Sequence, residues 1–396
     1  MNTLYLKAGR EKSVLAHHPW IFSGAVERVE GDPKAGENLR VASAKGDFLA
    51  WAAYNYLSQI RGRIWSWDEH EKIDEEFIGK KVAGALGYRK NVIPYGETDA
   101  MRLVHAESDG LPGFVVDRYA DVLVMQCLTA GADYWRDALA NQLTEQTGIQ
   151  DIFERSDVDV RKLEGLQERV GIIRGKEPVI PIVIHENEIA FEVDIVNGQK
   201  TGFYIDQRRN RAQVGALVAG RDVLNCFCYT GGFSLYAQNG GAKSIESVDS
   251  SANALALAKR NWSLNDIEPS YSKWVEADVF QYLRLLRDQA RSFDAIVLDP
   301  PKFAPTAALA ERAARGYKDI NLLAFKLLRP GGLLFTFSCS GGITADLFQK
   351  IIAGAALDAG VGTRILGHFF QGADHPVALN FPEGSYLKGL IVEVDK

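Results

Sequence analysis

Hydrophobic and polar positions change their period along the chain, and the changes divide it into three regions. In the first region, residues 1–70, branched and aromatic residues form short runs at Leu39–Ala44, Phe48–Tyr54 and Gln59–Trp65, with turn residues between them. Such runs predict a small all-β module. Residues 71–95 follow with a charged pattern typical of a helix.

The second region, residues 71–195, mixes both periods and predicts a small α+β domain. Its expected elements are two hairpins, a helix and a strand, in the order Phe114–Tyr119, Val122–Leu128, Tyr134–Gln146, Ile152–Arg155, Ile182–Ile184 and Ile189–Ile195. Residues 165–180 carry Gly, Glu, Arg and Lys without a period, so we expect a loop there.

The third region, residues 196–396, alternates helical stretches with short apolar strands. The expected strands are Val223–Phe227, Ser244–Val248, Phe293–Leu298, Leu333–Phe337, Thr363–Phe370 and Leu387–Val394. Strands that alternate with helices form βαβ units, so the pattern predicts a largely parallel, doubly wound sheet. The predicted fold class is therefore α/β, with separate β and α+β regions before it.

The net charge and the spacing of the cysteines exclude some classes of protein. A formal net charge of −6 excludes a chain that is basic throughout, but residues 1–65 hold nine Lys/Arg against six Asp/Glu, and a local basic face is sufficient for RNA binding. The four cysteines form no C-x-x-C pair, which argues against structural zinc and favours a reducing, cytosolic setting. We expect no signal peptide and no membrane span, because the start lacks a charged segment before an apolar run and every apolar stretch has strand length.

A strand, a turn and a helix follow one another at residues 223–234. Paired glycines in the turn let the backbone approach a ligand closely. The candidate binding residues here are Asn225, Cys226, Phe227, Tyr229, Thr230 and Gly231. The alternative is a βα turn without a ligand, and the absence of a G-x-G-x-x-G pattern argues against a dinucleotide fingerprint.

Two acids follow at the ends of the next strands. Asp249 lies 18 residues after Gly231, which suits a ribose-binding acid, since that acid usually follows about 20 residues on. Asp278, followed by Val279, is a candidate contact to an adenine amine. Each acid could instead cap the helix that follows it, and the two roles can coexist.

The later strands end in a carboxylate and a thiol, two groups that can take part in catalysis. The Asp299-Pro300-Pro301 turn is rigid and aims Asp299 at the edge where open α/β sheets bind ligands. Cys339 ends the next strand in a polar, glycine-flanked turn, which favours a nucleophile. A Pro-rich turn and a buried, inert cysteine are the alternatives at these two positions.

Together these motifs resemble class I S-adenosylmethionine-dependent methyltransferases, and the Asp-Pro-Pro-Lys-Phe and Ser-Cys-Ser-Gly turns look like those of the RNA 5-methylcytosine branch. Four further stretches are similar to that branch: His18–Val26, Lys200–Arg208, Arg315–Asn321 and Asp374–Pro376. The resemblance covers nearly the whole chain. It implies a PUA-type RNA-binding β-barrel at residues 1–70 and a Rossmann-like methyltransferase domain at residues 196–396, with the α+β domain between them.

The resemblance implies S-adenosylmethionine as the cofactor. Asp249 would bind its ribose, Asp278 and Val279 its adenine, and the backbone around Cys226–Gly231 its methionine portion. Three residues of the Lys200–Arg208 stretch would cover that portion: Tyr204, Asp206 and Gln207.

The resemblance also implies the catalytic pair, Cys339 as the thiol that adds to C6 of a cytosine and Asp299 as the carboxylate that holds the base. Another 5-methylcytosine branch has a second cysteine in the Asp-Pro loop, where this chain has Lys302 and Phe303. Cys339 is therefore the attacking thiol, and the base that removes the C5 proton is not identified.

The implied partner is 23S ribosomal RNA, with a target cytosine that is single-stranded or flipped out. Candidate contacts to the RNA are Arg10, Lys12, Arg61, Arg63, Lys302 and Lys318. We expect no metal and a cytoplasmic location, and leave a homodimer open. The alternatives are a methyltransferase for exocyclic amines of adenine or guanine, a non-catalytic RNA-binding or ribosome-assembly factor, and an NAD-dependent oxidoreductase.

Overall fold

The computed structural model describes residues 2–94, 96–268, 271–303 and 310–395. The chain divides into two compact units, each made of several segments. The first comprises Met1–His185, Val193–Ile205 and Ala373–Gly384, and the second comprises Glu186–Glu192, Asp206–Gly372 and Ser385–Lys396.

The first unit begins with a six-stranded sheet. Its elements are β1 (Thr3–Leu6), α1 (Lys12–Leu15), β2 (Trp20–Phe22), β3 (Val26–Glu30), β4 (Asn38–Ala42), β5 (Phe48–Tyr54) and β6 (Ile60–Ser66). The strand order is β2-β6-β5-β4-β1-β3, and Leu4, Val41 and Ile64 lie in its core. The predicted all-β module is confirmed. The hydrophobic pattern does not reveal β1, β2 and β3, because strands of three to five residues are too short to show a period.

A second, five-stranded sheet completes the first unit, in the order β11-β10-β9-β8-β7. The elements of this part are α2 (Glu75–Val92), β7 (Ala100–His105), β8 (Phe114–Tyr119), β9 (Val122–Cys127), α3 (Ala130–Tyr134), α4 (Arg136–Thr147), β10 (Asp151–Ser156), α5 (Val160–Leu163) and β11 (Arg169–Arg174). The loop expected at residues 165–180 is wrong, since β11 lies within it. This half-exposed edge strand has no periodic pattern of its own and forms by pairing with β10. The hairpin that follows is present as β12 (Ile182–Glu186) and β13 (Ile189–Val193).

The second unit is built on a seven-stranded sheet. Its elements are α6 (Arg208–Gly215), β14 (Asp222–Cys226), α7 (Gly232–Asn239), β15 (Ser244–Asp249), α8 (Ala252–Leu264), β16 (Ser272–Glu276), α9 (Val279–Asp288), β17 (Phe293–Leu298), α10 (Ala310–Leu327), β18 (Leu328–Ser338), α11 (Ala345–Ala359), β19 (Thr363–Phe370) and β20 (Lys388–Val394). The order is β16-β15-β14-β17-β18-β20-β19, in which β14 to β18 run parallel and β20 is antiparallel to both neighbours. The predicted α/β sheet is confirmed.

Burial explains why these strands show in the sequence. Helices cover the sheet, so β14 and β17 bury nearly every residue and read as continuous apolar runs. On one face, Leu283 of α9, Ile320 of α10 and Phe348 of α11 pack into a single core with Ile296 of β17.

The helices are amphipathic or short. Among those described, α2 and α10 are the longest at 18 residues, and both carry charged side chains along their length. No helix within the described ranges is long and apolar enough to cross a membrane.

Candidate active site

The candidate active site lies where the parallel strands end. The chain runs through β14, β15 and β16 in one direction and then returns to β17 on the other side of β14. Loops on the two sides of such a reversal diverge and leave a crevice at the carboxyl ends of the strands. We name this side of the sheet the carboxyl edge, formed by Cys226–Gly231, Asp249, Asp299 and Cys339.

The turn after β14 has a strained backbone. Phe227 and Tyr229 have φ angles of +60° and +48°, in the left-handed region that residues with a Cβ rarely adopt. Strain of this kind costs about 1–3 kcal/mol per residue and collects at functional sites. Phenylalanine and tyrosine have no preference for a positive φ angle, so the sequence could not reveal the strain.

Asp249 holds this turn from the neighbouring strand. Its Oδ2 accepts a hydrogen bond from the Tyr229 N–H at 2.8 Å, and its Oδ1 accepts one from the Ser251 N–H at 2.9 Å. Ser251 is the residue that caps α8, through a bond from the Ala254 N–H at 3.2 Å, so the capping alternative for Asp249 is wrong. A carboxylate has about four acceptor positions, and Asp249 therefore keeps capacity for the hydroxyls of a ribose.

Gly231 is required by packing as well as by its backbone angle. It has a φ of +81°, and a Cβ at this position would lie 3.0 Å from the Trp274 ring and 3.2 Å from Ala258. These contacts are sufficient to explain the glycine, whatever binds the turn.

Among the described residues, two buried polar atoms lack a protein partner near this turn, one at the end of β14 and one in the turn itself. Within the described part of the chain, no donor or acceptor reaches Asn225 Oδ1 or Thr230 Oγ1, although the Asn225 amide donates to Ser234 Oγ at 2.8 Å. Buried polar atoms are nearly always hydrogen-bonded. The two atoms therefore fit a turn that receives the polar groups of a ligand.

Asp278 lies at the start of α9, after β16. Its Oδ1 accepts a hydrogen bond from the Gln281 N–H at 2.9 Å, so it is the helix cap that the sequence also allowed. The Asp278 side chain is exposed, whereas Val279 is buried. The cap fixes the carboxylate at a strand end, and its contact to an adenine stays a prediction.

Asp299 and Gln207 come together at the end of β17. Gln207 Nε2 donates to Asp299 Oδ2 at 3.1 Å, and Gln207 Oε1 accepts from the Asn210 side chain at 2.6 Å. The Asp299 N–H points to the Cys226 carbonyl at 3.5 Å, which links the two sides of the crevice. The sequence singled out Gln207 and Asp299 separately, but it held no sign of their contact or of Asn210.

The segment predicted to cover a cofactor is shared between the units. Tyr204 belongs to the first unit, where its hydroxyl donates to Gln199 and the Lys200 ammonium lies 4.2 Å from its ring centroid. Asp206 belongs to the second unit, where it is buried and accepts a hydrogen bond from the Tyr386 hydroxyl at 2.6 Å. Asp206 therefore lies in the same unit as the carboxyl edge, whereas Tyr204 lies in the other unit.

Cys339 is half-exposed, whereas Cys127, Cys226 and Cys228 are buried. Burial raises the pKa of those three thiols, so they stay protonated near neutral pH. Cys339 therefore differs from those three in its burial, and its role as a nucleophile stays a prediction. It lies directly after β18, on the carboxyl edge and one strand away from Asp299.

The serines on either side of Cys339 bind one phenol. Ser338 Oγ donates to the Tyr317 oxygen at 2.9 Å, and the hydroxyls of Tyr317 and Ser340 share a second bond of 2.9 Å. Burial raises the pKa of Tyr317, so the phenol stays protonated. Tyr317 thus holds the chain on both sides of Cys339, a contact that the sequence did not assign to the Arg315–Asn321 stretch.

Most of the predicted RNA contacts lie at the surface. Arg10, Lys12 and Lys302 are exposed. Lys318 forms an ion pair of 2.7 Å with Asp358, and Arg61 donates to backbone carbonyls of its own β5–β6 turn. These five positions stay predictions.

Arg63 requires a correction. Its side chain is buried, and its guanidinium lies 2.8 Å from Glu107 and 3.2 Å from Glu164. Moving it to a phosphate would leave two buried carboxylates without their cation, which is strongly destabilising. Arg63 therefore stabilises the first unit through these two ion pairs, and the predicted RNA contact is wrong.

The carboxyl edge combines groups that can bind a nucleoside with groups that can act on a base. Asp249 and the strained turn offer a carboxylate, backbone groups and unsatisfied polar atoms. Asp299 and Cys339 offer an acceptor and a nucleophile on the neighbouring strands. No group of three or more His, Cys, Asp or Glu side chains among the described residues is placed to hold a metal ion.

Two family models match the chain. Residues 4–67 match a PUA-like domain. Residues 170–364 match an S-adenosylmethionine-dependent methyltransferase, and this stretch contains all the residues of the carboxyl edge.

Curated relatives align with the chain over almost its whole length. It is 51% identical over 389 residues to the ribosomal RNA large subunit methyltransferase I of Shewanella amazonensis. The identity is 52% over 391 residues to the protein of the same name from Tolumonas auensis, and 50% over 391 residues to that from Aeromonas hydrophila. Each alignment covers 98% of this chain and 98% of the relative.

Solved structures share the architecture. A protein from Streptococcus mutans, assigned as a SAM-dependent methyltransferase, superposes over the full length of both chains with a TM-score of 0.85 at 22% identity. A second structure, of a protein assigned as a methyltransferase and complexed with SAH, gives a TM-score of 0.87 at 23% identity over the same extent. At these identities the likeness shows the fold alone.

Proposed function

The chain belongs to the ribosomal RNA large subunit methyltransferase I family, and from this premise we propose that it methylates C5 of a cytosine in 23S ribosomal RNA through a covalent bond between Cys339 and C6. The predicted PUA-type module, the Rossmann-like domain and the S-adenosylmethionine cofactor are confirmed by the family matches. The base, the atom and the thiol adduct are the proposal. Its main support is the half-exposed thiol of Cys339 on the edge that also holds Asp299.

The carboxyl edge fits the cofactor. Asp249 would bind the ribose hydroxyls, and the strained turn of Cys226–Gly231, together with Asn225 before it, would bind the methionine portion. Asp278 and Val279 would lie at the adenine. Tyr204, Asp206 and Gln207 would cover the methionine portion. When bound, the cofactor supplies an electrophilic methyl group on a sulfonium sulfur.

Cys339 solves the chemical difficulty of the reaction. The C5 atom of cytosine is too weak a nucleophile to take a methyl group unaided. When the Cys339 thiolate forms a bond to C6, the electron pair of the C5–C6 double bond moves toward C5 and makes it enamine-like. After C5 has gained the methyl group, its proton passes to solvent, the double bond re-forms, and the sulfur leaves as thiolate.

Asp299 holds the base in register with the thiol. A carboxylate at the N3/N4 edge of cytosine accepts from the exocyclic amine and supports protonation of N3, which stabilises the adduct as Cys339 adds. The 3.1 Å bond from Gln207 fixes the orientation of this carboxylate before the base arrives.

The exposed cations would bind the RNA backbone. Arg10 and Lys12 in the first unit and Lys302 in the second would neutralise phosphates, which gives affinity without reading sequence. A cytosine inside a helix presents neither face to a thiol, so the base must be flipped out at a cost of a few kcal/mol. Because the proposed substrate is ribosomal RNA, we also propose that the protein acts in the cytoplasm.

The test compares Cys339→Ala and Cys339→Ser with the natural chain. Mass-spectrometric mapping of 23S ribosomal RNA from cells lacking the gene should show one cytosine without its C5 methyl group, and only the natural chain should restore it. In vitro, we expect both variants to lose about 10⁴-fold or more in rate. Binding of S-adenosylmethionine, measured by calorimetry, is the control and should be unchanged.

Two results would contradict the proposal. If Cys339→Ala still methylates its RNA, the substrate is an exocyclic amine, because that reaction needs no thiol. If the natural chain binds no S-adenosylmethionine, it is a non-catalytic RNA-binding protein.

A further inference from the structure

A lysine from the far end of the chain lies beside the thiol. Lys388 is the first residue of β20, and the β18–β20 register places it directly opposite Ser338. Its Nζ donates a 2.9 Å hydrogen bond to the Ser340 carbonyl. The lysine therefore bridges across the turn that presents Cys339, contacting the residues on both sides of it.

The turn that presents Cys339 is held from two elements, α10 and β20. Ser338 and Ser340 both bind the Tyr317 phenol, which holds the chain on either side of Cys339. Lys388 reaches the same turn from the neighbouring strand. The bond to the Ser340 carbonyl places its ammonium group beside the residue that follows Cys339 in the chain.

The titratable groups near the Cys339 turn come from three other elements of the sheet and its helices. Asp299 and Lys302 follow β17, Tyr317 comes from α10, and Lys388 comes from β20. Burial lowers the pKa of Lys388, a negative charge on Cys339 opposes that effect, and Lys302 adds to it. Lys388 and Cys339 are thus close enough to influence each other's ionisation.

We propose that Lys388 is the cation that holds Cys339 as a thiolate, ready for addition to the base. In the ionisation step the S–H bond breaks, the proton passes to water, and the electron pair stays on sulfur beside the ammonium group. The same ammonium receives the thiolate when it leaves C6. Lys388 is a positioning residue in this scheme, because it acts through Cys339, and its catalytic importance rests on the proposed function.

Alkylation of the full chain, without RNA, tests the ionisation directly. Iodoacetamide reacts with the thiolate and not with the thiol, so the pH dependence of alkylation reports how easily Cys339 ionises. Mass spectrometry of the peptide that contains Cys339 separates it from the three buried thiols. Lys388→Gln keeps a hydrogen-bond donor for Ser340 but removes the charge, and Lys388→Arg keeps the charge.

We expect the alkylation midpoint of Lys388→Gln to move to higher pH, with a rate at pH 7 about tenfold lower than in the natural chain. Lys388→Arg should stay close to the natural chain. Lys326→Met, which removes an exposed cation of α10, is the matched control and should change nothing. If Lys388→Gln is unstable, Lys388→Met repeats the neutral test.

Methylation should follow the same pattern. For Lys388→Gln, kcat at pH 7 should fall about tenfold and recover toward pH 9, while the KM for S-adenosylmethionine stays constant. An unchanged alkylation midpoint, or Lys388→Arg behaving like Lys388→Gln, would overturn the inference and leave Lys388 a structural tie to Ser340.

The two proposals fail separately. If the alkylation midpoint shifts but Cys339→Ala still methylates RNA, the ion pair is real and the cytosine mechanism is wrong. If Cys339→Ala is inactive but the midpoint does not shift, the cytosine mechanism stands and the role of Lys388 is wrong.

Discussion

The two edges of the seven-stranded sheet use charged residues in opposite ways. At the amino edge, named here for Asp222, Glu246, Lys273, Asp294 and Arg329, carboxylates pair with cations. Arg329 lies 2.8 Å from both Asp222 and Asp294, and Glu246 lies 3.0 Å from Lys273. At the carboxyl edge, Asp249 instead accepts from two backbone N–H groups, and Asp299 accepts from the amide of Gln207.

The difference separates carboxylates that pair with cations from carboxylates that accept from backbone and amide N–H groups. A cavity of about 330 Å³ opens at the amino edge, but its walls are these mutually neutralised side chains. The left-handed φ angles of Phe227 and Tyr229 occur at the other edge, as does the half-exposed thiol. The proposed active site therefore lies at the edge that carries the backbone strain and the thiol, and not at this cavity.

Asp299→Asn should break the comparison most strongly. The asparagine can still accept from Gln207, but it cannot support protonation of the base, so we expect kcat to fall by about 10²- to 10⁴-fold. Binding of S-adenosylmethionine should be unchanged by calorimetry. Asp294→Asn, the same change at the amino edge, is the control and should leave kcat intact. A kcat for Asp299→Asn within about twofold of the natural chain would remove Asp299 from the mechanism.

Asp249→Ala should weaken cofactor binding. Losing hydrogen bonds to a charged acceptor costs about 1.5–3 kcal/mol, which corresponds to a Kd for S-adenosylmethionine about 10- to 100-fold higher. Calorimetry measures it. Ser251→Ala removes the neighbouring helix cap and should lower stability without changing this Kd. Equal affinities in Asp249→Ala and the natural chain would show that the ribose lies elsewhere.

Arg329→Met should have the smallest effect, confined to stability. The hydrogen bond from Arg329 lowers the pKa of Asp222; for Asp294, burial opposes the lowering, and bonds from the Asp222 N–H and Arg329 outweigh it. Carboxylates with a lowered folded pKa stabilise the fold above their unfolded pKa of about 3.9 and lose that effect as the pH falls through the lower, folded value.

The variant should therefore lose about 1 kcal/mol of unfolding free energy at pH 7, a small figure because Arg329 is partly exposed to solvent. The difference from the natural chain should shrink as the pH falls below about 4. Urea unfolding at several pH values measures both. A changed kcat for Arg329→Met at pH 7 would mean that the two edges are not independent.

The sequence predicted the parts of the fold that burial imposes on composition. β14, β17 and β18 show as apolar runs because helices cover both faces of the sheet. β11 does not show, since its register is set by its partner β10 and not by a pattern of its own. β1, β2 and β3 of the first sheet were missed because they are too short to show a period.

The candidate site divides in the same way. Asp249, Asp299 and Cys339 could be placed on one edge, because parallel strands end on the same side of a sheet. The burial of Arg63 could not be predicted, since its two carboxylate partners lie more than 40 residues away along the chain. The approach of Lys388 to the turn at Cys339 could not be predicted either, because it depends on the position of β20, antiparallel between β18 and β19.

The central claim is the bond between Cys339 and C6 of a cytosine, and trapping that bond tests it most directly. RNA in which the target cytosine carries fluorine at C5 has no C5 proton to lose, so methyl transfer should leave the enzyme attached to the RNA. With S-adenosylmethionine, we predict a band that resists denaturing electrophoresis and a nucleotide mass on the peptide containing Cys339, both absent from Cys339→Ala. An enzyme that methylates unmodified RNA normally but forms no adduct with the fluorinated RNA, or forms it at another residue, would contradict the account.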